Sequence, residues 1–268
     1  AKRKRTQPTS AAKVAQPQAR YDAAGSGRRM RAWNPPSSGP NRSMDGIQRI
    51  RDRSADIERN DGMGESAGQK WATTLIGIGI TPRFKRVKNR DRRQEITDLF
   101  NDQAAMIDAD HVNNLYGMQT LAVRTWWMGG EVFARRRYRR GSDGLPLPFQ
   151  VQLLEPAMVP MLDADTWPKL PVGSKIRGGI EFDKRGFKTA VWFYKEHPGD
   201  GMGRYAGNGS ELVRVPIGDV IHMFSPNRPG AVRGVPQMAP VLAKLKDIGE
   251  YDDTVLQQML NDGRIPDA

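Results

Sequence analysis

The stretch Trp126-Trp127-Met128-Gly129-Gly130-Glu131-Val132-Phe133-Ala134-Arg135-Arg136-Arg137-Tyr138-Arg139-Arg140 decides the fold class. Ahead of it, Leu115, Met118, Leu121 and Val123 recur at helical spacing. The Gly129-Gly130 pair stops that helix, since glycine takes the left-handed conformation past a helix end without strain. Beyond it, Val132, Ala134 and Arg136 alternate with Phe133, Arg135 and Arg137, the period of two that marks a strand. The chain passes here from a helical part to a β-rich part, which makes it α+β.

Upstream, a helix is expected after Ser43, a suitable N-cap, with Met44, Ile47, Ile50 and Ile57 on one face and Asn60-Asp61-Gly62 at its end. Residues 65–75 read as a second short helix and 92–106 as a third. Residues 111–128 form the fourth. Residues 76–84 are β-branched and broken by glycine, and read as a strand entering a turn at Pro82. Downstream, residues 149–154 read as a strand, and 179–182 with 189–195 as a hairpin around Asp183-Lys184-Arg185-Gly186. Residues 213–215 and 219–224 read as two further strands. A long helix is expected over 236–260, where Met238, Val241, Leu245, Ile248, Val255 and Met259 form a seam interrupted by Asp252. Such a seam on a polar helix usually faces another helix.

The 268 residues are 38% hydrophobic and 27% charged, with 28 Gly and 19 Pro, so many turns and one stretch that does not fold alone are expected. Without cysteine there is neither a disulfide nor a thiolate metal site. No apolar run is long enough to span a bilayer, and the basic N-terminus has no apolar region behind it, so it is not a secretory signal. The net charge of +12 is uneven. Residues 1–140 hold 28 Lys and Arg against 14 Asp and Glu, a net of +14, and residues 141–268 hold 14 against 16, a net of −2. A uniformly basic nucleic-acid binder would not divide this way.

Residues 1–42 read as a basic flexible tail. Lys2, Arg3, Lys4 and Arg5 have no acidic neighbour before Asp22, and Asn34-Pro35-Pro36 with Gly39-Pro40 breaks any helix. The tail is either a contact for nucleic acid or capsid, or a solvated end. Arg135, Arg136, Arg137, Arg139 and Arg140 form the densest basic run of the body, on both faces of their strand, and read as a nucleic-acid or partner contact more than as a solvated face.

The residues offer little for catalysis. Asp108-Ala109-Asp110-His111 reads as acids at a helix start rather than a metal cluster. His197 falls in a turn, and His222, between Ile221 and Met223, reads as a core histidine. Asp163-Ala164-Asp165 has no nearby His or Lys partner for nuclease chemistry. There is no Gly-Lys-Ser/Thr phosphate loop and no Gly-x-Ser-x-Gly elbow, so no enzyme, cofactor or metal is expected.

An ordered series of short motifs runs through the second half: Leu154-Glu155-Pro156; Gly178-Gly179-Ile180-Glu181-Phe182-Asp183; Trp192-Phe193-Tyr194; His197-Pro198-Gly199-Asp200; Val213-Arg214-Val215-Pro216; Asp219-Val220-Ile221-His222-Met223-Phe224; Arg228-Pro229-Gly230; Arg233-Gly234-Val235-Pro236; Ala239-Pro240-Val241-Leu242; Tyr251-Asp252-Asp253. The series resembles the lambda-type portal proteins of tailed bacteriophages. The resemblance covers roughly residues 43–260 and is strongest over 213–253, where order and spacing carry it. It implies a portal-like wing of helices and antiparallel strands followed by a long stem helix. The implied divisions are a tail over 1–42, a helical part of the wing over 43–140, a β-rich part over 141–235 and the start of the stem over 236–268. The clip, return stem helix, tunnel loop and crown of the family would lie beyond.

The resemblance further implies a homo-oligomeric, dodecameric ring at one capsid vertex of the virion, assembled in the host cytoplasm. Double-stranded DNA would pass through it, and terminase, the major capsid protein and head-completion, connector or tail proteins would be its partners, with no membrane. A channel wall should be neutral or acidic, because each phosphate held by a cation adds affinity that would brake a sliding duplex. Lys244, Asp247, Glu250, Asp252 and Asp253 are the candidate residues of that helix. A basic DNA-binding module and a metal-dependent nuclease using Asp163 and Asp165 are the alternatives.

Overall fold

Three helices in the computed structural model start at a side chain that satisfies their first free amides. The Asp61 side chain accepts from the amides of Met63 and Gly64, Asn89 from Arg92, and Asn114 from Tyr116 and Gly117. These caps open α2 (Gly62–Ile76), α3 (Arg90–Met106) and α4 (Leu115–Gly129). α1 (Ile47–Asn60) instead follows Gly46, held in the left-handed region at φ 77°, and not the N-cap expected at Ser43. The structure describes residues 35, 37–168, 170–200 and 212–262. From Gly39 onward the described residues form one unit. Lys2, Arg3, Lys4 and Arg5, the candidate contacts of the tail, lie outside the described residues.

α1, α2 and α4 pack around small residues and tryptophans. Gly64, Gly68 and Ala72 are the buried positions of α2. A Cβ at Gly64 would sit 2.6 Å from the Ile57 side chain of α1, so only glycine permits this approach. Trp71 of α2 meets Trp126 and Trp127 of α4 at ring-centroid distances of 5.7 and 5.0 Å.

Two antiparallel sheets complete the body. The first has the order β2 (Phe149–Leu154), β1 (Glu131–Tyr138), β7 (Val220–Phe224). Its strands come from both sides of residue 140. The second runs β3 (Lys175–Arg177), β4 (Ile180–Phe182), β5 (Lys188–Tyr194), β6 (Leu212–Pro216). The face of β1 that carries Phe133 packs on β5, with Phe133 and Phe193 edge to face at 5.6 Å. Met158, Val159, Val191, Val215 and Val220 close this core.

Three expectations change. Residues 76–84 are not a strand: Gly77 and Gly79 take positive φ, and the backbone of Ile80 is held through both its groups by the Gln119 side chain. A β-branched composition without an adjacent strand edge leaves that segment irregular. The fourth helix starts at Leu115, not near His111, because Asp108 accepts the amides of Asp110, Val112 and Asn113 in a loop. The last helix, α5 (Leu242–Asp262), starts later than Pro236, since residues 236–241 make short-range turns and Pro240 has no amide to donate. β3, only three residues long, carries no strand signature in the sequence.

Candidate functional site

β1 begins at Glu131 and carries two groups of charges, one buried at its start and one half-exposed at its end. Glu131 is fully buried, at 0% exposure. Its Oε1 accepts from Arg51 Nη2 and from Arg233 Nε, each at 2.6 Å. Its Oε2 accepts from His222 Nε2 at 2.8 Å and from the Gly234 amide at 2.9 Å. Arg51 also donates to the carbonyls of Gly129 and Gly234, and Arg233 to those of Gly178, Val159 and Pro156. Through these two arginines and His222 one carboxylate joins α1, the α4–β1 junction, the turn at 156–158, the β3–β4 turn, β7 and the segment leading to α5.

Burial alone would raise the Glu131 carboxyl. The charge of Arg233, the His222 hydrogen bond and the charge of Arg51 outweigh it and hold it at about 2. Burial lowers the Arg51 guanidinium to about 10 against the pull of Glu131, so it stays charged at neutral pH. Burial also lowers His222, more than Glu131 raises it. Since Nε2 faces a carboxylate it carries the proton of the neutral ring. His222 stacks on Phe133 and Phe224 at 4.3 and 4.4 Å, so it is a core histidine.

The backbone makes this hub possible. A Cβ at Gly234 would lie 2.7 Å from the Gly130 carbonyl carbon and closer still to its oxygen, and one at Gly130 would lie 2.6 Å from the Val235 amide nitrogen. Two sequence motifs, Gly129-Gly130-Glu131 and Arg233-Gly234-Val235-Pro236, thus meet backbone to backbone. Nothing in the sequence alone singles out Arg51, Glu131 and Arg233 as one cluster. Arg233 sits in a recognisable motif and Glu131 follows the glycine pair, so proximity to those motifs is the available signal. Arg51 has none, lying in a run of mixed charges.

The arginine run of β1 splits by role. Arg136 donates to Asp219 Oδ1 at 2.7 Å, and the Tyr138 hydroxyl donates to the same oxygen. Arg139 donates to Gln150 at 2.7 Å. The Arg140 backbone amide donates to Asp143, closing the turn after β1. Arg135 and Arg137 project from the face that carries Phe133 and line a cleft of about 290 Å3 between the sheets. Among the described residues neither forms an ion pair, and Arg135 Nε is buried with no hydrogen-bond partner.

Lys244, Asp247, Glu250, Asp252 and Asp253 are all exposed on α5. Lys246 and Glu250 pair one turn apart at 2.7 Å. Of the expected seam, Met238 is buried ahead of the helix, while its residues within α5 are half-buried or exposed, Met259 being 65% exposed. Asp163 accepts the Gly178 amide and Asp165 pairs with Arg177, so both are spent on the β3 region. No cluster of three or more His, Cys, Asp or Glu side chains that could hold a metal occurs among the described residues. No described helix is long and apolar enough to cross a membrane.

The comparisons with known proteins agree on one family. A model described as "Phage portal protein, lambda family" matches residues 26–263. The chain is also 29% identical over 195 residues to a "Probable portal protein" of Halomonas phage phiHAP-1. That match covers 69% of this chain and 36% of the relative, so the chain spans well under half of its length.

Proposed function

The chain belongs to the lambda family of phage portal proteins, and we propose on that footing that it is the structural subunit of a homo-oligomeric ring at one capsid vertex. The match over residues 26–263 carries this reading. The family is structural, and the chain is not an enzyme. In the proposed ring, double-stranded DNA passes through a central channel during packaging and ejection. Terminase docks during packaging, and head-completion, connector or tail proteins dock afterwards. The body of helices and two sheets serves as the wing, and α5 enters the stem. A dodecamer in the virion, built in the host cytoplasm against the major capsid protein, is the expected assembly.

Two observations support the placement of α5. Among the described residues, Ile248, Leu256, Met259 and Leu260 of α5 are exposed, as suits a helix that packs on a neighbouring copy. Its polar side carries Asp247, Glu250, Asp252 and Asp253 against Lys244 and Lys246, a balance that lets a duplex slide. A ring interface is heterologous and needs two different surfaces per subunit.

Electron microscopy tests the reading. Purified protein should give rings with a central hole, and antibody label on phage particles should mark one vertex per head. Label spread over the whole capsid would overturn it, as would heads that package DNA when the gene is deleted.

A further inference from the structure

The strongest unassigned feature is the cleft between the two sheets at the far end of β1. Leu154, Met158 and Phe193 give its lining an apolar part, beside Gln152 and Tyr194. Its rim carries Arg135, Arg137 and Lys195. β1 pairs with β7 only from Glu131 to Arg135, so the last residues of β1 have an open edge on that side. Three cations therefore surround a partly apolar recess. Asp219, whose charge reaches Arg135, is already engaged by Arg136 and the Tyr138 hydroxyl, and Asp110 accepts from Gln152.

This arrangement is unfavourable in the isolated chain. Two arginines on one face of a strand, two residues apart, repel each other, and burial strips part of their hydration. Burial first, and then the charge of Arg137, disfavour the charged form of Arg135, with Asp219 compensating only in part. A buried guanidinium nitrogen without an acceptor adds to the cost. A bound anion would offset the repulsion between the two guanidinium groups and compensate the burial of their charge.

We propose that the cleft is a docking site for an acidic peptide segment of a partner protein, with a carboxylate on Arg135 and Arg137 and an adjacent apolar side chain on Leu154, Met158 and Phe193. The geometry selects a peptide over nucleic acid. A recess of about 290 Å3 holds one or two side chains. The phosphates of a duplex reach the rim but bring nothing apolar for the apolar part of the lining. Arginine pairs favour planar carboxylates, which they grip through two parallel hydrogen bonds. The site does not depend on ring assembly, since every group in it belongs to one copy.

The test is fluorescence anisotropy of the full chain with a labelled Phe-Glu-Asp-Leu peptide. Its amide counterpart, Phe-Gln-Asn-Leu, and a short DNA duplex are the comparison ligands. The acidic peptide should bind and the amide peptide should not, with affinity falling as salt rises. The double variant Arg135→Ala with Arg137→Ala should weaken binding about tenfold or more. Lys195→Gln, on the neighbouring strand end, should weaken it less. Among the described residues neither arginine side chain makes a hydrogen bond that the fold needs, so the double variant should melt no lower than the parent. Three results would overturn the proposal. The first is no binding of the acidic peptide. The second is equal binding of the amide peptide. The third is duplex binding that is as tight and shows the same dependence on Arg135 and Arg137.

Discussion

Glu131→Gln is the sharpest test of how this body is held together. The substitution keeps the shape and removes the charge. The carboxyl is held at about 2 from an ordinary 4.5, which corresponds to about 3 kcal/mol favouring the charged form in the fold. Glutamine also replaces one acceptor oxygen by a donor NH2. All four of its neighbours are donors: Arg51 Nη2, Arg233 Nε, His222 Nε2 and the Gly234 amide. At least one buried donor then faces another donor, and two buried guanidinium groups lose their shared carboxylate. The expected loss is about 3–5 kcal/mol, a large part of a typical domain's stability. Urea unfolding at neutral pH, followed by the fluorescence of the six tryptophans, measures it. An acid series separates the charge from mere packing. The parent loses stability as pH falls below 6.5, because burial lowers His222 in the folded state and the unfolded chain takes the proton first. It loses more as pH falls from 4.5 towards 2, where Glu131 is charged in the fold and neutral in the unfolded chain. The variant should lack this second loss and show the first more steeply, since His222 no longer has a carboxylate to raise it. A destabilisation under about 1 kcal/mol with an unchanged acid profile would refute the hub as a structural keystone.

Gly234→Ala should be more damaging still, since the new methyl would overlap the Gly130 carbonyl and neither backbone can yield; the amount of soluble folded protein is the readout. Phe133→Ala should cost about 3–5 kcal/mol in the same urea assay, because the ring is fully buried between Phe193, His222 and Arg233. Replacing Leu256 and Met259 by serine should leave the urea midpoint of the body unchanged, both being exposed, while reducing ring formation in electron micrographs. Equal ring yield would detach α5 from the proposed subunit contact.

Much of the fold is legible from the chain because it follows local rules. Alternation across 131–138 and the glycine pair ahead of it mark the helix-to-strand passage, and the strands at 149–154, 188–194 and 220–224 carry enough β-branched and aromatic residues to be read directly. The failures are equally physical. The segment 76–84 has strand composition but no partner edge, and pairing is a tertiary event. Ser43 has capping chemistry, yet the left-handed turn at Gly46 sets where α1 begins. Of the buried charge cluster, His222 is conspicuous in the sequence as an interruption in an apolar strand, and Glu131 and Arg233 are marked only by the glycine motifs beside them. Arg51 and Arg233 look like surface arginines until the chain closes around Glu131. The family resemblance is readable over residues 213–253 because those motifs keep their order and spacing, and the family model matches through them.

The charge asymmetry takes a different meaning once each arginine is placed. Read from composition, the basic first half suggests a broad attraction for anions. In the fold, Arg51 is spent on Glu131, Arg124 on Glu58 and Arg136 on Asp219. These partners are carboxylates reached across long stretches of chain, so these arginines join elements instead of projecting a field. Within β1 the cations left over are Arg135 and Arg137, where a recess restricts what can approach. A diffuse basic surface would bind DNA in proportion to the phosphates it neutralises and would hinder a duplex moving past. A confined pair of arginines over a partly apolar lining instead selects for carboxylate and shape, and leaves the exposed, mixed-charge surface of α5 free of that constraint. Within one chain, selective docking and a surface that lets DNA slip are compatible only if the cations are kept apart from the helix proposed to enter the channel.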